Sequence, residues 1–178
     1  MLKKPPLIID TCTMSNLFSG QAFCLLRELY KNDIVISGEI YLEAVKYAPL
    51  KSELCKALEK EKWMKLGVID EIADLKLFAQ FQKRADPGEA SIMVLALKMG
   101  GTVGSDDMTG VVRICKRYNI PILGTMGILY DAYTKQITSC KSGDKIIRNM
   151  KNNGRNIPVN EFYDILNWFE NGKGRELY

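Results

Sequence analysis

Five short apolar runs recur along the chain, and stretches of helical periodicity separate them. They are Leu7-Ile8-Ile9, Ile34-Val35-Ile36, the segment from Trp63 to Ile69, Thr102-Val103-Gly104 and Ile120-Pro121-Ile122-Leu123. The first, second and fourth read as buried strands, and strands alternating with helices pair in parallel through helical crossovers. The expected fold is therefore α/β, with a helix-covered parallel sheet. Pro121 has no N–H for a ladder, which places the fifth run at an edge. From about Gly127 onward the pattern is wholly helical, with turn signals at Ser142-Gly143-Asp144, Asn152-Asn153-Gly154 and Pro158. We expect residues 1–135 to form the α/β domain and residues 136–178 a helical C-terminal extension packed on it, with a loose end from Asn171 to Arg175. At 178 residues and 47% hydrophobic, the chain has enough apolar material for one sizeable core.

Several of these elements end or begin in acids. Asp10 closes the first run, and the small polar residues Thr11 to Leu17 after it read as a strand-to-helix turn. Ser37-Gly38 opens a helix in which Ile40, Ala44 and Tyr47 share a face, and Glu43 falls between them as an inward acid. Asp70 can cap the helix that runs through Phe78 and Phe81. In Asp86-Pro87-Gly88-Glu89, Asp86 suits the N-cap, Pro87 the first helical position and Glu89 the first turn, at the end of an apolar stripe of Ile92, Leu95, Ala96 and Met99. Asp106 and Asp107 end the fourth run, before a helix beginning at Met108. In a parallel sheet all these places lie at strand C-termini or in the first turns of the following helices, the edge where ligands bind. Grouped carboxylates repel, and a hard cation with oxygen ligands, Mg²⁺ or Mn²⁺, relieves the repulsion and acts on phosphoryl groups. Capping accounts for Asp10, Glu89 or Asp107 taken singly. It does not account for an inward Glu43.

The chain has no histidine, which excludes Ser-His-Asp triads, HExxH zinc sites and histidine bases. Its net charge of +4 permits a polyanionic partner without requiring one. Arg84, Lys98, Arg113, Lys116 and Arg117 flank the expected site and could hold phosphates, or simply form solvated helix faces. The five cysteines, Cys12, Cys24, Cys55, Cys115 and Cys140, make no CxxC pair and read as reduced core thiols. The start Met-Leu-Lys-Lys-Pro-Pro lacks the apolar run of a signal peptide, and no stretch approaches a membrane span. A cytoplasmic protein with no membrane partner is expected.

The segments Ile8-Ile9-Asp10-Thr11 with Asn16, Glu43 on its helix, Gly88-Glu89-Ala90 and Ser105-Asp106-Asp107 together resemble the PIN-domain family, the fold of VapC-type toxins and many metal-dependent ribonucleases. Gly124-Thr125-Met126-Gly127-Ile128-Leu129, and a helical tail from Gly154 to Leu166, resemble a PIN-like prokaryotic subfamily. The resemblance implies a three-layer α/β/α fold with a five-stranded parallel sheet of order 3-2-1-4-5. It also implies a Mg²⁺- or Mn²⁺-dependent endoribonuclease with catalytic Asp10, Glu43, Glu89 and Asp107. The implied metal ligands are Asp10, Glu89, Asp106 and Asp107, with Thr11, Asn16 and Ser105 in support. RNA is the implied substrate, and the resemblance leaves open a toxin role with a small antitoxin as partner, and a homodimer with a second copy of the chain. The third acid, often Asp in the toxins, is Glu89 here, and Asp106 is an extra acid at the fourth site. Two other readings stand beside this one: an inactive PIN-like module that binds RNA or protein, and a haloacid-dehalogenase-like phosphatase. The phosphatase needs a second acid two residues after the first, where this chain has Cys12. No GxxxxGK or GxGxxG motif is present.

Overall fold

The computed structural model describes residues 6–107 and 109–172. The expected loose end therefore lies largely outside the described residues, as does the expected helix start at Met108. Strands β1 (Leu7–Ile9), β2 (Ile34–Ser37), β3 (Met64–Gly67) and β4 (Thr102–Gly104) form one parallel sheet of order β3-β2-β1-β4. The fifth run is not a strand. It lies beside β4 through a single parallel bridge, Val103 to Ile122, where the Val103 N–H donates to the Pro121 carbonyl (2.8 Å) and the Leu123 N–H to the Val103 carbonyl (2.8 Å). Pro121 supplies no donor of its own, so a run of this length forms no longer ladder.

After β1, the chain builds outward through β2 and β3 and then crosses back to place β4 on the other side of β1. The strand order therefore reverses between β1 and β4, the kind of place where open α/β sheets form a crevice beyond the strand C-termini. The Asp10 N–H donates to the Gly104 carbonyl at 2.8 Å, which sets the ends of these two strands side by side.

Helices α1 (Thr11–Ser19) and α2 (Cys24–Tyr30) follow β1, and α3 (Gly38–Ala44) and α4 (Ala48–Cys55) follow β2, α4 ending in a π-helical turn (Lys56–Lys60). Helix α5 (Ile72–Phe81) precedes α6 (Pro87–Met99), which packs on β1, β2 and β4. Helix α6 is not the amphipathic stripe that the sequence pattern implies. Ser91 to Ala96 are buried all round while Met99 is 43% exposed, because α3, α5 and α7 (Gly110–Tyr118) cover α6 on the side away from the sheet. It ends in left-handed Gly100 (φ 64°). Gly101 then passes so close to β1 that a Cβ would stand 2.5 Å from Ile8 Cδ1.

Asp70 does not cap α5. Its carboxylate is drawn instead to Lys98 at 2.6 Å, and Glu71 takes the N-cap position.

Helices α8 (Thr125–Thr134), α9 (Cys140–Asn152) and α10 (Phe162–Glu170) complete the fold, with α9 packed on α1 and α10 on α8 and α9. Ser142-Gly143-Asp144 is not a turn, because Ser139 caps α9 ahead of it (Ser142 N–H to Ser139 Oγ, 3.3 Å). Gly143 is there for packing: a Cβ would fall 2.0 Å from the Phe162 ring. Gly143→Ala is expected to cost about 1–3 kcal/mol in urea unfolding, since the fully buried Phe162 has to move. A neutral effect would mean that the two helices separate easily. Asn153 and Gly154 (φ 75°) do form the expected turn.

All five cysteines are free, but only Cys115 is buried; Cys12, Cys24 and Cys140 are exposed, contrary to the core placement expected of them. Among the described residues no helix is long and apolar enough to cross a membrane.

Candidate active site

The residues Thr11 to Leu17 are helix rather than turn, and the reason is Asp10. Its backbone is extended (φ −85°, ψ 169°) and its carboxylate accepts the Thr13 N–H at 2.6 Å, so α1 starts directly at the strand end. Thr13 and Asn16, whose short polar side chains make them read as turn residues, are buried and aim at the next acid. Asp106 Oδ2 accepts Asn16 Nδ2 (2.9 Å), Thr13 Oγ1 (3.3 Å) and Thr125 Oγ1, and its Oδ1 accepts the Thr125 N–H (2.7 Å). The Asp106 carboxylate thus also meets the N-terminus of α8, whose own N-cap, Gly124, has no side chain to offer. Burial pushes the Asp10 carboxyl up to about 6, and hydrogen bonds from Ser105 and Thr13 only partly offset that rise, to which the Asp106 charge adds.

A second pair stands at the starts of α6 and α7. Asp86 and Glu89 form a full capping box, with the Glu89 N–H to Asp86 Oδ1 at 2.8 Å and the Asp86 N–H to Glu89 Oε2 at 3.2 Å. Asp107 caps α7 by accepting from the Thr109, Gly110 and Val111 N–H groups at 3.0 to 3.2 Å and from the Thr109 hydroxyl at 2.7 Å. Both acids therefore do what capping predicts, but they also face one another. The Cβ position of Gly110 lies 3.3 Å from Asp107 Oδ2 and 3.9 Å from Glu89 Oε2. Desolvation, together with the charges of Asp86 and Asp107, pushes Glu89 up to about 7. Desolvation would raise Asp107 too, but the Thr109 and Val111 hydrogen bonds and the Glu89 contact outweigh it and leave its pKa lowered.

Glu43 is exposed, not inward. Helix α3 ends at Ala44, and Tyr47 lies beyond it at 49% exposure, so the apolar face expected from Ile40, Ala44 and Tyr47 is broken before it can bury the acid. Glu43 still points to the same edge. Thr11 Oγ1 donates to its Oε2 at 2.9 Å, and across Gly88, whose Cβ position is 3.6 Å from Glu43 Oε2 and 3.3 Å from Asp86 Oδ1, it faces the start of α6.

Of the five basic residues expected to flank the site, only Arg84 stands in the acidic groove. It lines an open groove with Lys83, Asp86, Glu89, Asp107 and Thr109. Lys98 does not flank the site: it stands in the last turn of α6 and is held by Asp70, Glu71 and Asp74 at 2.6 to 3.4 Å. Arg113 is exposed along α7, and Lys116 and Arg117 occupy its last turn, the end away from Asp107.

A family model for the PIN domain matches residues 6–171. The chain belongs to the PIN-domain family. No curated protein and no solved structure matches it. Membership replaces the dehalogenase-like reading, and PIN domains are typically nucleases that use divalent metals.

In this PIN domain the donor chemistry suits a hard cation, since every candidate ligand is an oxygen and two glycines keep space open between facing carboxylates. The acids stand as pairs rather than as one cage. Among the described residues no three of them group closely enough to hold an ion. Thr13, Thr125 and Lys83 escaped sequence reasoning. Thr125 had a readable signal, a hydroxyl at the first helical position after a strand-like run, the counterpart of Thr11 after β1.

Proposed function

We propose that this PIN-domain protein is a Mg²⁺- or Mn²⁺-dependent endoribonuclease. The observation that carries the reading is the collection of Asp10, Asp106, Glu89 and Asp107 at helix N-termini along one sheet edge, with Lys83 and Arg84 beside them. Asp10 and Asp106 on one side, and Glu89 and Asp107 on the other, would hold the cation, with Glu43 at the rim. A bound divalent ion supplies an activated water and neutralises charge on the phosphodiester. Ser105, Thr13, Asn16 and Thr125 fix the first pair of carboxylates, so no reorganisation is needed when charge develops. Glu89, which burial raises to about 7 without a cation, would meet the ion as a carboxylate, and in a chain without histidine the attacking water would be activated by the ion and these carboxylates. Lys83 and Arg84 provide phosphate contacts.

Purified protein is expected to cut single-stranded RNA in Mn²⁺ or Mg²⁺, to stop in EDTA and to recover when excess cation returns. Cleavage that survives full chelation contradicts the mechanism, and absence of cleavage with either ion contradicts the activity. Mn²⁺ should also raise the melting temperature, because an ion at a hundred times its Kd stabilises a folded state that alone binds it by about 2.7 kcal/mol.

A further inference from the structure

The chain between α9 and α10 folds back over the C-terminal end of α1. Asn153 Nδ2 donates to the Ser19 carbonyl (3.1 Å) and Asn149 Nδ2 to the Gly20 carbonyl (3.3 Å). These carbonyls at a helix end would otherwise need water. Gly20 permits the approach, since a Cβ there would lie 2.9 Å from Ile146 Cγ2 and Met150 Cε.

The same turn fixes Arg155. Its backbone N–H donates to the Met150 carbonyl (3.0 Å) and its Nε to Ser19 Oγ (2.9 Å). A guanidinium carries donors on both terminal nitrogens as well as on Nε, and among the described residues this one makes no ion pair with a carboxylate. The stem is pinned and the fork is free. Ser19 stands in the last turn of α1, the helix whose first turn Asp10 caps. Cys12 and Ser19 share one side of α1, roughly 10 Å apart along the axis.

The carboxylates at this edge repel a polyanion, and cations on either side of them offset that repulsion. Lys83 and Arg84 supply one side. We infer that Arg155 supplies the other: it binds a phosphate of the RNA strand other than the one cut, and the strand runs from the acids along α1. This rests on the ribonuclease reading. It gives the C-terminal helices a part in substrate binding beyond packing.

The test is the salt dependence of single-stranded RNA binding, measured by fluorescence anisotropy in an Asp10→Asn background that leaves the RNA intact. Arg155→Ala is expected to make log affinity against log salt shallower by about 0.7, the value for one phosphate contact on a single strand. It should weaken strands of different sequence equally, while Arg155→Lys keeps the slope. Arg155→Gln, which keeps a donor for Ser19, carries the same comparison should the alanine variant fail to fold. An unchanged slope in folded Arg155→Ala or Arg155→Gln overturns the inference. So does equal loss in the lysine and alanine variants with a lowered melting temperature, which would make Arg155 a tether. If the wild-type chain cuts RNA and the Arg155 variants keep its slope, only the arginine's role is lost. If it neither binds nor cuts RNA, the nuclease reading falls as well.

Discussion

Glu89→Gln is expected to cut single-stranded RNA on the order of a hundredfold more slowly than wild type at neutral pH, while melting within a few degrees of it. The capping box makes this substitution informative. The amide oxygen of Gln still accepts the Asp86 N–H, and the Asp86 carboxylate still accepts the N–H at position 89, so the start of α6 survives. The losses are one negative charge beside Asp107 and one hard oxygen ligand for the cation. Neither matters to a cap. Glu43→Gln should also lose activity, because Glu43 faces the start of α6 across Gly88. Glu39→Gln, in the first turn of α3, should stay near wild type. Full metal-dependent cleavage by Glu89→Gln would reduce Glu89 to a cap.

The parallel sheet was legible because its runs are short and mostly apolar, and β1, β2 and β4 are buried throughout, whereas β3, at the edge of the sheet, leaves Lys65 and Leu66 exposed. The length of the fifth strand was not, since an edge run with a proline forms a ladder only where its neighbour's geometry allows, and here that is one bridge. Asp10, Glu89, Asp106 and Asp107 could be found because strand ends and helix starts announce themselves in residue type. The burial of Glu43 was misjudged for a physical reason: periodicity assumes that the helix continues, and α3 stops one residue later. Lys98 was misplaced because a charge's position along a helix decides which end of the sheet it serves, and its partners Asp70, Glu71 and Asp74 come from a different loop and helix. The donors to Asp106 arrive from α1 and α8, over a hundred positions apart in the case of Asn16 and Thr125, and no local pattern joins them.

In cation-free buffer the protein should become less stable as pH rises from about 4 to 7, and Asp10→Asn should remove much of that slope. The folded Asp10 carboxyl sits at about 6 against an ordinary 3.8, so the folded state holds the proton more tightly than the unfolded chain does. Its stabilising contribution is complete below the unfolded value and is lost as pH passes through the folded one. A rise of about two units corresponds to roughly 3 kcal/mol. Glu89 acts in the same direction between 4.5 and about 7. Asp107, with its pKa lowered, acts in the opposite direction: its contribution is present above 3.8 and is lost in acid. Asn at position 10 can still accept the Thr13 N–H through its amide oxygen, so the variant keeps the start of α1 and removes only the titration. Urea unfolding across this range, at fixed ionic strength with EDTA, reads the difference. A flat wild-type profile, or an Asp10→Asn profile as steep as wild type, would show that burial at the end of β1 does not penalise the charge. With the expected slope, Mn²⁺ should restore stability most at the high end of the range, where both carboxylates are ionised and their repulsion is greatest.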